Sequence, residues 1–295
     1  MASVLPRSFW VDGKKVLCGQ VVEFAVDPAY RSLGPAVLMQ RATFEPVNSG
    51  QVAFGYDCPP HDRGMSTFVR LGIQSSADVL RYALLLRCDE YLGERIGKGA
   101  WTGPLVATVN LALRLSRSGK SVPGLEICQH DKAFDEEFSN LDRYLISAGK
   151  IRAGRAAEDL NWRYLEDPWA ANGSSPGSTA PYRVFVARRA GELVAFAILF
   201  VQTDGIAWIV DLFGRDLLSV GRTLLEAVID VCRRERVIRI DVLCSVESDL
   251  KSLVESAGFR ARERVYRVVA YENARQAPQL LNSGLRWAFT NSEVM

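Results

Sequence analysis

Residues 25–42 join an apolar strand to a helix, and this stretch constrains the fold more than any other. Its sequence, AVDPAYRSLGPAVLMQRA, carries Arg31, Gly34 and Ala36 in the pattern R-x-x-G-x-A. Gly34 lets the backbone approach a ligand closely, because glycine has no side chain. Pro35 suits the first helical turn, where backbone N–H groups have no acceptor within the helix. The stretch therefore predicts an anion site at a helix N-terminus, the alternative being a well-capped structural turn.

Two blocks of strands and helices follow each other along the chain. The first predicts strand, helix, strand, helix, strand over residues 16–26, 35–45, 51–56, 60–71 and 79–88. The second predicts a helix at 159–166, strands at 182–188, 193–201 and 206–213, a helix at 217–234, a strand at 238–244, a helix at 248–257 and a strand at 259–271. Residues 92–140 show no clean period. The order predicts an α/β (α+β) fold, with one domain at 1–120 and a second at 121–295.

Composition excludes several classes of function. A net charge of +2 over 295 residues gives no basic field for a nucleic acid. The chain has only two histidines, and its six cysteines are scattered without a C-x-x-C pair, so we expect no metal site. No apolar run reaches 18 residues and no signal peptide is evident, so we expect no membrane span and a cytoplasmic protein.

The motif of the first block resembles a known family. VDPAYRSLGPAVL, residues 26–38, is similar to the V-x-P-x-x-R-x-x-G-x-G/A signature of the GNAT (N-acetyltransferase) superfamily. The later FVRLGI segment is similar to the helix–Gly–strand element of that family. The resemblance implies that acetyl-CoA or another acyl-CoA is the co-substrate. It also implies which residues bind the coenzyme. The pyrophosphate is expected at Arg31, Ser32, Leu33, Gly34, Pro35, Ala36 and Val37, and the pantetheine along the preceding strand, which includes Val26.

The wider layout resembles bacterial tandem GNAT proteins, some of them associated with polysaccharide biosynthesis. LNWRYLEDP, residues 160–168, and RWAFT, residues 286–290, carry this likeness. It implies two GNAT-like mixed-sheet blocks in tandem, the first lacking its N-terminal strand and helices. The function implied is an acyl-CoA-dependent N-acyltransferase with a small-molecule acceptor, an amino sugar being favoured by the layout alone. The alternative is a catalytically degenerate binding or scaffold protein.

The second block differs from the first at the corresponding turn. GRDLLSVGRTLL, residues 214–225, has no R-x-x-G-x-G/A pattern, so we expect no coenzyme A there. Because the first block would leave the apolar flank of Phe9, Trp10 and Val11 uncovered, we expect the second block to pack against it. The acceptor cleft is then expected where the blocks meet.

Acyl transfer needs a group that accepts the proton of the nucleophile and a group that protonates the leaving thiolate. Glu23, on the strand before the turn and opposite its apolar face, is the first candidate base, against a solvated glutamate. His61, in PPHDR, is the second, against an exposed loop histidine. The resemblance places the usual acid tyrosine near Phe68, which carries no proton. Tyr56 is the nearest replacement.

Other polar residues have two interpretations each. Asp211 ends the apolar strand IAWIVDLF, where it either caps the next turn or holds an amine. Arg260, Arg262 and Arg264 alternate along one strand, as on a solvated edge or beside an anionic substrate. The aromatic residues of LNWRYLEDP are expected in the core.

Overall fold

The computed structural model describes residues 1–30, 33–88, 108, 122–146, 149–166, 182–273, 281 and 285–294. Arg31 and Ser32 lie outside the described residues. A mixed sheet flanked by helices confirms the α/β prediction. The helices are α1 (Leu33–Thr43), α2 (Glu45–Asn48), α3 (Asp62–Arg70), α4 (Glu136–Tyr144), α5 (Ala157–Tyr164), α6 (Arg222–Arg234) and α7 (Asp249–Ser256). The strands are β1 (Ser3–Val11), β2 (Lys14–Val22), β3 (Phe54–Asp57), β4 (Ser75–Leu85), β5 (Leu125–His130), β6 (Lys150–Ala153), β7 (Tyr182–Arg189), β8 (Glu192–Val201), β9 (Ile206–Gly214), β10 (Arg239–Ser245), β11 (Arg260–Tyr271) and β12 (Arg286–Trp287).

One sheet runs through both halves of the described chain, in the order β12-β6-β1-β2-β3-β11-β4-β10-β9-β8-β7-β5. β11 lies between β3 and β4, with Val269 opposite Asp57 on β3. β4 pairs on its other side with β10, where Tyr82 faces Val242. A long strand from each half therefore completes the sheet of the other, and this covers edges that would otherwise pair with other chains. The domain boundary near residue 120 stays a prediction.

The far edge of the first half is also covered by later residues. β6 pairs antiparallel with β1, where Trp10 faces Arg152, and β12 pairs parallel with β6. Phe9 and Val11 are fully buried there, and the indole N–H of Trp10 donates to Asp142 Oδ2 at 2.8 Å. Two elements of the second half, α4 and β6, therefore cover the apolar flank of the first half.

Two predicted elements of the first half differ from the structure. The single strand predicted at 16–26 is the second arm of a β1–β2 hairpin, and it ends at Val22 because Glu23 turns the backbone with a φ of +55°. The helix predicted at 35–45 is two helices. Pro46 lies in the first turn of the second one, where its missing N–H costs no hydrogen bond.

The predicted strands and helices of the second half are present with shifted ends, except that 217–234 begins as a π-helix at Leu217–Gly221. β5, α4 and β6 are additional elements that the sequence pattern did not show. β8 is buried on both faces, which explains its unbroken apolar run. In the described part of the chain, no helix is long and apolar enough to cross a membrane.

Candidate functional site

The parallel strands β2 and β3 separate after a short pairing. Three register pairs join them, the last being Gln20 opposite Tyr56. Each strand then continues without a partner residue on the other. Beyond the strands, Phe24–Val26 line one side of the gap and Pro59–His61 line the other.

A cleft of about 740 Å³ fills this gap and extends between α1 and α3; we call it the α1–α3 cleft. Ala36 and Gln40 line it from α1, and Thr67 and Phe68 from α3. The walls are mostly apolar, and Phe68, buried at the tyrosine position discussed above, offers no proton. The cleft can therefore hold a long, largely apolar ligand arm.

The N-terminus of α1 borders this cleft. Because the helix begins at Leu33, the N–H groups of Leu33, Gly34 and Ala36 have no acceptor within it, and they carry the positive end of the helix dipole. Gly34 is exposed, and a Cβ at its position would meet no atom within 4 Å. Pro35, Ala36 and Val37 are half-buried in the first turn. The open space beside Gly34 suits an anionic group. The other two residues predicted to bind it, Arg31 and Ser32, lie outside the described residues.

Two predicted catalytic residues lie at the mouths of clefts. His61 is exposed, immediately precedes α3 and lines the α1–α3 cleft. Glu23 is exposed and lines a neighbouring cleft. It reaches that cleft through its left-handed backbone conformation and not through strand alternation, because β2 has already ended. A non-glycine residue in this conformation is strained, a feature that clusters at functional sites.

Tyr56 lies in the protein core. Its side chain is 2% exposed, packs among Phe9, Phe54 and Phe289, and donates a hydrogen bond to the carbonyl of Glu293 at 3.1 Å. Burial raises the pKa of its hydroxyl well above the usual value. The pleat of β3 points this side chain away from the strand gap, and the placement argues against a proton-donating role.

Asp57 is the residue that sequence reasoning missed. It is the last residue of β3 and lines both the α1–α3 cleft and the neighbouring cleft. Burial raises the pKa of its carboxyl to about 6, while the backbone N–H of Cys58 opposes the shift by a hydrogen bond. Among the side chains that the structure describes, none hydrogen-bonds this carboxylate. A lone acid that ends the apolar strand FGYD was the available signal.

The neighbouring cleft, of about 520 Å³, lies between β2 and α5; we call it the β2–α5 cleft. Gln20 and residues 21–24 line it from the first half of the chain. Trp162 and Arg163 of α5, Tyr182 and Val294 line it from the second half. It shares Phe24, Asp57 and Pro60 with the α1–α3 cleft, so the two clefts meet at the end of β3.

A buried charge network lies close to this cleft. Arg155 donates to Asp211 at 2.9 and 3.0 Å and to Glu293 at 2.9 Å, and all three side chains are at most 2% exposed. Asp211 is therefore an ion-pair partner, and both interpretations given above, cap and amine site, are wrong. Arg7 donates to Gln20 at 2.5 Å and to the carbonyl of Ser292 at 3.2 Å. The segment 290–293 is thereby fixed beneath β1 and β2.

Two further sequence interpretations need correction. Arg260, Arg262 and Arg264 are exposed, but they lie on an interior strand of the sheet and not on an edge. Of the aromatic residues in LNWRYLEDP, Tyr164 is buried as expected, whereas Trp162 is 40% exposed at the β2–α5 cleft.

The second half contains a similar separation of parallel strands. β9 and β10 pair as far as Ile209 opposite Val242, and a cleft of about 420 Å³ lies beyond. At the start of the adjoining helical segment, Asp216 has a φ of +47° and its carboxylate accepts a hydrogen bond from the Ser219 hydroxyl. An acidic side chain at this helix start disfavours a phosphate.

Solved structures share this fold. The chain resembles a GCN5-related N-acetyltransferase from Anabaena variabilis with a TM-score of 0.57 and 12% identity, over 91% of this chain and 58% of that one. It resembles the Saccharomyces cerevisiae N-myristoyltransferase with bound myristoyl-CoA and inhibitors with a TM-score of 0.59 and 14% identity, over 92% and 63%. It resembles a GCN5-related N-acetyltransferase from Sphaerobacter thermophilus with a TM-score of 0.52 and 15% identity, over 92% of this chain and 76% of that one. The chain therefore has the GNAT fold.

The likeness is one of structure and not of sequence. The chain spans less than two thirds of the length of the Anabaena and Saccharomyces proteins. No protein-family model matches the sequence, and no curated protein matches it either.

Proposed function

We propose that the protein transfers an acyl group from acyl-CoA to the amine of a small-molecule acceptor. The observation that carries this proposal is the separation of β2 from β3 beside the unpaired N-terminus of α1. The gap accommodates an extended thiol ester arm, and the helix N-terminus suits its pyrophosphate. The GNAT fold supports the same assignment. Acyl-CoA is an intracellular metabolite, so we propose a cytoplasmic reaction, with two GNAT-like units acting as one.

In this proposal each cleft has its own substrate. Acetyl-CoA or a longer acyl-CoA occupies the α1–α3 cleft, its phosphates near residues 31–37 and its arm along Val26. The acceptor amine enters the β2–α5 cleft, which both halves of the chain line. The thioester and the amine then meet at Asp57, which borders both clefts.

The reaction follows from these positions. The neutral amine nitrogen attacks the thioester carbonyl, a C–N bond forms, and the C–S bond breaks to release coenzyme A. Asp57 is placed to accept the amine proton, since its pKa of about 6 keeps it ionised at neutral pH yet more basic than an ordinary carboxylate. Glu23 attracts the cationic amine at the mouth of the acceptor cleft, and His61 is placed to protonate the leaving thiolate.

A second candidate is a GNAT-fold protein that binds acyl-CoA without transfer. Phe68 and the buried Tyr56 favour it, because neither offers a proton at the thioester. Release of free thiol from acetyl-CoA, measured across a panel of amines that includes amino sugars, separates the two. Amine-dependent thiol release supports the enzyme. A thermal shift with acetyl-CoA but no release with any amine supports the binding protein.

A further inference from the structure

Arg163 is a buried cation without a bound carboxylate. It is 9% exposed, lies near the C-terminal end of α5 and lines the β2–α5 cleft. Its Nε and one terminal nitrogen have no hydrogen-bond partner among the described residues. Burial opposes its charge, but interactions with Tyr164, Glu293 and Asp211 raise the pKa of the guanidinium above its usual value, so Arg163 is a stable cation with unused hydrogen-bond donors.

The charged groups around Arg163 are already engaged. Arg155 holds both Asp211 and Glu293, the nearest buried carboxylates of the network. On its own helix, Asp159 lies one turn earlier and interacts electrostatically with Arg163, but its Oδ2 is buried without a hydrogen-bond partner among the described residues. Arg163 therefore differs from the similarly buried Arg152, whose guanidinium donates to Asp142.

The same cleft has groups of opposite charge in different parts of its lining. Asp57 and Glu23 line it at the ends of β3 and β2, and Arg163 lines it from α5, with Arg7 on the floor formed by β1. A ligand that carries an amine and an anion on one small molecule matches this distribution. The amine would lie toward the carboxylates and the anion toward Arg163, whose planar fork suits carboxylate and phosphate oxygens.

We propose that Arg163 binds an anionic group, a carboxylate or a phosphate, on the acceptor molecule that carries the reacting amine. This inference rests on the proposed function for the transfer step, but the anion site itself is a property of the free protein. It narrows the acceptor from amines in general to amino acids or phosphorylated amino sugars.

The first test measures anion binding without catalysis. Thermal melting of the full chain is compared in sodium phosphate, sodium glutamate and sodium chloride of equal ionic strength. We expect phosphate or glutamate to raise the melting temperature above the chloride value. Arg163→Met should lose the anion response, because it removes the guanidinium that would hold the anion. Arg189→Met, which removes an exposed arginine of β7, should behave like the wild type.

Two outcomes of this test overturn the anion site. One is an Arg163→Met protein that keeps the wild-type response to phosphate or glutamate, as expected if these anions bind elsewhere or stabilise the protein only generally. The other is a wild type that responds equally to all three salts. If Arg163→Met does not fold, Arg163→Lys takes its place, and we then expect a weakened anion response since lysine lacks the bidentate fork.

The second test uses acceptors in matched pairs at saturating acetyl-CoA: alanine with alaninamide, and glucosamine 6-phosphate with glucosamine. We expect the anionic member of one pair to react with a kcat/KM about tenfold higher or more, and the pair that does so identifies carboxylate or phosphate. In Arg163→Met the preference should disappear through KM. Equal rates within both pairs overturn the anionic acceptor and leave the transferase proposal standing. No transfer to any amine contradicts the transferase, and the melting data then decide the anion site alone.

Discussion

Gln20 of β2 and Tyr56 of β3 form the last register pair between two parallel strands. The end of this pairing determines where Asp57 and Glu23 lie. One residue beyond Tyr56, the alternation of β3 turns Asp57 out of the core and into the gap. Three residues beyond Gln20, the left-handed backbone of Glu23 redirects the chain along the opposite wall. The site is thus a consequence of where strand pairing stops.

Asp57→Asn is expected to lower kcat by about 100-fold, because an amide cannot accept the amine proton. The affinity for acetyl-CoA should not change. In the wild type, kcat/KM should fall as the pH drops below about 6, where the carboxylate becomes protonated. Initial rates across pH measure this, with Glu23→Gln as the comparison. A variant that keeps its rate and the acid limb of its profile would exclude Asp57 as the base.

The same carboxyl should influence stability. Its pKa is higher in the folded chain than the usual value of 3.8, so the folded state binds the proton more tightly. The destabilisation by Asp57 therefore grows as pH rises from the unfolded value of 3.8 to about 6, is complete above about 6, and is absent below the unfolded value. Asp57→Asn should raise the melting temperature at about pH 8 and raise it much less at about pH 4. An equal change at both pH values would contradict a buried carboxylate here.

Gly34→Val is expected to weaken acetyl-CoA binding without harming the fold. A Cβ at this position meets no protein atom within 4 Å, so any loss reports on the ligand. At 100 times Kd, acetyl-CoA should stabilise the wild type by about 2.7 kcal/mol, and the valine variant should lose most of that shift. Gly34→Ala is the graded control, with a smaller loss. An unchanged shift in the valine variant would place the phosphates elsewhere.

How much of the fold could be predicted from the sequence depends on how far apart in the chain the interacting residues lie. Local signals predicted most elements, such as the helix ends at Gly72 and Gly258, whose φ values are +78° and +88°. β6 was missed because it is a four-residue strand, defined by its pairing with β1 far away in the chain and not by its own pattern. Long-range pairing leaves no local period to detect.

The candidate site shows the same division. The turn at residues 25–42 was visible in the sequence, whereas Asp57 was not singled out, because its raised pKa depends on elements that only the fold brings around it. Tyr56 was selected for its position in the chain, and the pleat of β3 places it on the buried face. Arg163 received no prediction of its own within LNWRYLEDP, since no sequence pattern reveals a missing partner.

We expect one acyl-CoA per chain. The cleft beyond β9 and β10 has a similar strand separation, but its helical segment begins with the acidic side chain of Asp216 and lacks the glycine pattern. Negative charge at a helix start opposes phosphate binding. Titration calorimetry with acetyl-CoA should give a stoichiometry near one. A value near two would mean that the second cleft binds it as well.

The first half of the chain should not fold alone. Residues 1–120 would expose both edges of β4, which β11 and β10 cover in the full chain, and the outer edge of β1. Expressed alone, this fragment should be insoluble or lack fixed tertiary packing. The full chain should unfold in a single transition, and calorimetry measures this. A soluble, monomeric fragment that binds acetyl-CoA as the full chain does would show independent halves.

Arg155→Met should destabilise the protein strongly and in a pH-dependent manner. The substitution leaves Asp211 and Glu293 buried without their cation, a change that costs about 3–5 kcal/mol near neutral pH.

In the wild type, Arg155 and the Thr290 backbone N–H hold the pKa of Glu293 below its usual value despite burial. The stabilisation of the fold by ionised Glu293 is present above the unfolded pKa of this carboxyl and is lost as pH falls through the folded pKa. Without Arg155 the carboxylate of Glu293 takes up a proton more readily, so the deficit relative to wild type should shrink between about pH 7 and pH 4. Urea unfolding at both pH values measures it, with Arg143→Met as a control for the loss of an exposed ion pair, expected within about 1 kcal/mol of the wild type. A loss of stability in Arg155→Met that is small, or that does not depend on pH, would show that the Arg155 ion pairs do not fix the segment 290–293 beside the β2–α5 cleft.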